Sequence, residues 1–137
     1  MDLEFAIAAV DDDLHRRIAV WSAVRCLRES GLLDLTPFAP AVDALRRGDP
    51  PPPPFDDAGH CWTVFEEASP ALTPVLSPLA DEGTHAAQHW ALMTIFHAAH
   101  PDSLVAALGN VVSLAFVSGR DGYREAFAEL RRRFPEL

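Results

Sequence analysis

Residues 84–119 read THAAQHWALMTIFHAAHPDSLVAALGNVVSLAFVSG. In the second half of this stretch Leu104, Leu108, Val111, Val112, Ala115 and Phe116 recur at three- and four-residue spacing. That period is helical and unlike the strict alternation of a half-buried strand. The spacing predicts one helix over 84–100, stopped by His100-Pro101, and a second from Asp102 or Ser103 to Gly119. The second carries no Asp, Glu, Lys or Arg on any side. A helix apolar all round is central, covered by its neighbours. Gly109 costs such a helix about 1 kcal/mol against Ala, and a close helix–helix crossing would explain it. Complete enclosure is hard in so short a chain. Part of this helix, or of the one before it, is therefore expected to meet a second copy in a homodimer.

The reading extends in both directions. Toward the C-terminus, Asp121 or Gly122 starts a final helix carrying Tyr123, Phe127, Leu130 and Phe134, closed by Pro135. Toward the N-terminus, Asp11, Asp12 and Asp13 suit a helix cap and first turn, because carboxylates favour the positive end of the helix dipole. Leu14, Ile18 and Trp21 follow at i, i+4, i+7, and Gly31 is placed to end the helix in a left-handed conformation. Thr36-Pro37 reads as a cap followed by a first-turn proline, opening a short helix of Phe38, Val42 and Leu45 that Gly48 terminates. Leu3, Phe5 and Ile7 alternate as in a strand, while the intervening alanines allow a short helix equally well.

Five prolines at 50–54 predict an extended strut of roughly 15 Å between two helical halves. Asp49, Phe55, Asp56 and Asp57 offer no basic anchor for a proline-recognising domain. Residues 59–68 read as a short helix, and Ser69-Pro70, Thr73-Pro74 and Ser77-Pro78 as turns. The expected architecture is all-α: one domain over 1–137, a compact bundle of about five or six helices, with a short N-terminal strand as the alternative for its first residues.

The chain has 137 residues, a net charge of -9, 49% hydrophobic and 23% charged residues, the make-up of an ordinary globular domain. An acidic chain repels phosphate backbones, which argues against nucleic acid as a partner. Cys26 and Cys61 cannot build a disulfide framework, Met1-Asp2-Leu3-Glu4 lacks a basic leader, and neither uncharged stretch reads as a membrane span. A soluble cytoplasmic protein with free thiols is expected, with no membrane partner. Every basic residue is arginine, as a high-GC bacterial genome would encode.

Six histidines are many for this length. His85, His89, His97 and His100 fall on one face of the predicted helix about 120° wide, with Trp90 and Met93 at or beside it. His85 and His89, at i, i+4, have the spacing with which two imidazoles hold one metal. Glu82-Gly83-Thr84-His85 spells one Glu-x-x-His, but di-iron carboxylate bundles need two. Three readings follow for this face. It is a polar stripe lining a groove or a subunit interface, a transition-metal site joined by His60 or Cys61, or a source of acid–base groups in a small-molecule pocket. No nucleophile elbow and no Gly-rich phosphate loop appears. The functional expectation is a small acidic helical protein, without a cofactor, that binds a protein partner or itself, as immunity proteins and antitoxins do. The alternative is a small-molecule binder or small enzyme whose pocket uses the histidine helix.

Overall fold

Asp11 sets the start of the first long helix: its carboxylate accepts the Leu14 N–H at 2.9 Å, satisfying a donor that has no partner within the helix. The structure, a computed structural model, describes residues 2–34, 38–57, 59, 61 and 84–137, with side chains of the last block from residue 87. In chain order it contains α1 (Leu3–Ala8), α2 (Asp12–Glu29), a 3-10 turn (Leu32–Asp34), α3 (Phe38–Arg47), α4 (Thr84–Ala98) and α5 (Ser103–Arg133). The fold is all-α, and no strand occurs among the described residues. The strand alternative fails at residues 3–8 because the buried period is not two. Leu3, Ile7 and Val10 face the core at i, i+4, i+7, while Phe5 is 65% exposed.

Helix ends follow the sequence signals. Gly31 and Gly48 both have positive φ, at 81° and 75°. At the end of α3 the Gly48 N–H reaches Leu45 O at 3.1 Å and the Asp49 N–H reaches Ala44 O at 2.9 Å, the paired bonds of a Schellman motif. Of the predicted 59–68 helix Gly59 and Cys61 are described, both helical, and the Cys61 N–H donates to Asp57 O at 2.9 Å. Its other residues, the predicted Thr36-Pro37 cap and the Ser/Thr-Pro turns lie outside the described residues.

The proline run departs from the extended strut. Residues 53–56 form a turn, with the Phe55 N–H donating to Pro52 O at 2.9 Å. Phe55 is 2% exposed and packs between Phe38 and Phe96, at ring separations of 5.1 and 6.4 Å. Burying one large aromatic outweighs keeping the prolines in a projecting rod, so the run anchors the chain to the core.

α2 is packed along both α4 and α5. The sole asparagine, Asn110, pins all three: fully buried on α5, its Nδ2 donates to Ala19 O of α2 (2.8 Å) and Thr94 O of α4 (3.1 Å). The His97 ring of α4 lies over Gly109 beside it, 3.4 Å from where a Cβ would stand, an ordinary van der Waals distance. The crossing expected from that glycine is thus made within the chain.

α5 is long and apolar enough, by length and composition, to cross a membrane. In this fold it supplies Ala106, Ala107, Val111, Leu114 and Leu130 to the core, as a central bundle helix does. At Gly119 (φ 76°, ψ 178°) the backbone is non-helical and two helical stretches meet at a kink, which agrees with the stop predicted there; the second stretch resumes at once, ahead of the predicted start at Asp121 or Gly122. Only glycine adopts that conformation readily.

Candidate functional site

The histidine helix keeps only part of its predicted face. α4 ends at Ala98, so His100 leaves the helix, as the following Pro101 favours. His100 Nδ1 instead accepts the Asp102 N–H at 3.0 Å in the loop to α5. His89, Trp90, Met93 and His97 remain on α4, all half-buried. The Trp90 ring stacks flat on Phe116 at 4.5 Å and meets His89 edge-on at 6.3 Å. Burial lowers the His97 pKa, and the neighbouring Asn110 amide partly opposes this. Even so, neither His97 Nδ1 nor Asn110 Oδ1 finds a partner in hydrogen-bond geometry, and His89 Nδ1 is likewise buried and unpaired. The side chains of His85 and His60 lie outside the described residues. Among those described, no three His, Cys, Asp or Glu side chains converge as a metal site would require. Neither of the two large clefts is lined by His89, Trp90, Met93 or His97.

The remaining groups with catalytic chemistry are held in place. Cys26 and Cys61 are free, buried thiols, and burial pushes both up to about 12, so neither is a thiolate at neutral pH. An Asp12, Ser103, His15 cluster, which sequence spacing did not reveal, joins α2 to α5. Ser103 Oγ lies 2.7 Å from Asp12 Oδ1 and 3.0 Å from His15 Nδ1, and His15 Nε2 donates to Ile7 O at 2.7 Å. In a nucleophilic triad the imidazole stands between hydroxyl and carboxylate. Here the hydroxyl stands between the other two and is 7% exposed, which makes the cluster a tie between helices.

Two surfaces stand out instead. On α5, Val105, Val112 and Phe116 are 47%, 51% and 56% exposed. At i, i+7 and i+11 they form one row within about 40° of arc, and Trp90 extends it through the Phe116 stack. Beside the row, Ala115, Phe116, Gly119, Arg120 and Tyr123 line a shallow depression of about 350 Å³.

The second surface is a cleft of about 780 Å³ between α2, α3 and the end of α5. Its floor includes Val20, Trp21, Val24, Leu45 and Phe134. Seven of the eleven arginines line it: Arg16, Arg17, Arg25 and Arg28 from α2, Arg46 and Arg47 from α3, and Arg133 from α5. Among the described residues, Asp13 and Glu129 are the only carboxylates in the lining. Arg25 hydrogen-bonds Glu129 at 2.9 Å and also pairs with Glu29, holding the Glu129 carboxyl below the usual range. Arg47 pairs with Asp49 at 3.0 Å. Arg16 donates to three carbonyls, Ala98 O, His100 O and Pro101 O, and so fastens α2 to the α4–α5 loop. Arg17 and Arg133 lie over the Phe134 ring at 5.6 and 5.1 Å. The helical spacing of Arg17, Trp21, Val24 and Arg28 was the available signal, since all four fall within about 60° of one α2 face.

The chain matches no protein-family model, no curated protein and no solved structure.

Proposed function

We propose that the protein acts by association, as a non-catalytic binding protein that docks a basic partner protein on the exposed row of α5. The observation that carries this reading is the Trp90–Phe116 stack continued by Val112 and Val105, an aromatic-centred apolar row left open to solvent. Exposed rows of this kind mark interaction surfaces, and binding energy concentrates in such aromatic anchors. Charge supports the choice of partner. The chain carries -9 overall, and most of its arginines are gathered in a cleft to which none of the row residues belongs. The rest of the surface is therefore more acidic than the total suggests, which attracts basic surfaces and opposes pairing of two identical copies.

A Phe116→Glu variant tests the reading, because Phe116 is 56% exposed. In affinity capture from the native cell, the wild-type protein should retain a basic protein that the variant loses by at least tenfold. Binding should weaken as salt is raised. Identical capture by the two forms would overturn the proposal. So would a wild-type dimer in native mass spectrometry that the variant abolishes, since the row would then be the seam between copies.

A further inference from the structure

The arginine-lined cleft does not end at α3. A second cleft of about 740 Å³ adjoins it, and the two share Arg16, Val20, Leu45 and Gly48 as lining. The second is lined by Pro50, Pro51, Phe55, Phe96, Ala98 and Ala99, with Asp49, Asp56 and His100 among them, so a cationic cleft and a more apolar one meet across the shared residues to form one track.

The cationic end has guanidinium groups to spare. The Arg28 and Arg46 side chains make no hydrogen bond or ion pair among the described residues, and both are exposed. Arg17 and Arg133 meet only the face of Phe134. In a chain with 20 carboxylates and 11 arginines, four guanidiniums around one cleft without a carboxylate partner are out of proportion. Planar guanidinium forks match phosphate and carboxylate oxygens, and several together suit a group bearing two negative charges. Arg16, committed to three backbone carbonyls, forms a wall at the junction.

We infer that this track binds an anionic amphiphile as a single molecule, with a doubly charged head such as a phosphate monoester at Arg17, Arg28, Arg46 and Arg133 and an alkyl tail against Phe96, Pro51 and Ala99. The site is separate from the α5 row, and either assignment can fail without the other.

Calorimetric titration with monododecyl phosphate, below its micelle concentration, tests the inference. The full-length protein should bind one molecule, at least a hundredfold more tightly than inorganic phosphate and at least tenfold more tightly than dodecyl maltoside. Arg28→Gln with Arg46→Gln, both at exposed positions, should weaken dodecyl phosphate at least tenfold with an unchanged thermal midpoint. Ala99→Trp, which fills the apolar end from an exposed position, should weaken dodecyl phosphate at least tenfold and leave propyl phosphate within twofold. Equal affinity for the neutral and charged dodecyl compounds would overturn the inference. Indifference to Ala99→Trp would do so as well. Arginine-dependent sedimentation with anionic phosphatidylglycerol vesicles, in the absence of monomer binding, would assign the arginines to a membrane surface and also overturn it.

Discussion

His97 shows how one side chain links packing to pH. Its ring lies over Gly109, and burial holds its pKa below the ordinary 6.5. The folded state therefore resists the proton that the unfolded chain accepts. Stability is intact above the unfolded pKa and falls as pH drops through about 6.5 toward the lower folded value. The thermal midpoint should consequently decline between pH 7 and pH 5, and His97→Gln, which cannot charge, should flatten that decline. Parallel midpoint curves for the two proteins would rule this linkage out. At this scale the sequence was legible for caps and stops: Asp11, Asp102, Gly31 and Gly48 act as their residue types dictate. Asn110 was not legible, because its value lies in reaching carbonyls 91 and 16 residues away.

Among the elements, α5 gains most from a local exception. Gly119 sits where ψ is 178° with φ at 76°, and this break aims the segment carrying Glu129, Leu130 and Phe134 back onto α2. Gly119→Ala introduces a Cβ that meets no neighbour but forces a backbone region hostile to L-residues. The expected cost is about 1–3 kcal/mol in chemical denaturation, with the Arg25–Glu129 pair disturbed. A loss below a few tenths would show that the helix straightens without penalty. Helix positions along the described chain followed from apolar spacing, because 3.6-residue periodicity is written locally. The proline run did not, since the pull on Phe55 comes from Phe38 and Phe96, distant in sequence. The His100 departure from the histidine face shows the same limit in reverse. A helix wheel treats every residue as helical, while Pro101 had already ended the wheel.

For the whole molecule, the sequence showed net charge but not its distribution. Eleven arginines read along the chain look scattered, and folding α2, α3 and α5 together gathers seven of them around one cleft. The α5 row was partly legible, because an uncharged helix in a small chain must leave something uncovered. Which residues those were depended on where α2 and α4 packed. That packing has a consequence for how the molecule comes apart. The buried side chains fall into two clusters, one around Leu27, Phe38, Phe55 and Ile95, the other around Ile7, Ile18, Val111 and Phe134. α5 serves both in alternation: Ala106, Leu114, Val117 and Ala126 belong to the first, Ala107, Val111 and Leu130 to the second. Neither can open while that shared helix stays seated. Native-state hydrogen exchange should then find the amides of Val111, Leu114, Val117 and Leu130 released at one common free energy. Two distinct values would mean that the clusters are separate foldons; one value makes the helix a single cooperative spine, so that disturbing either end is felt at the other.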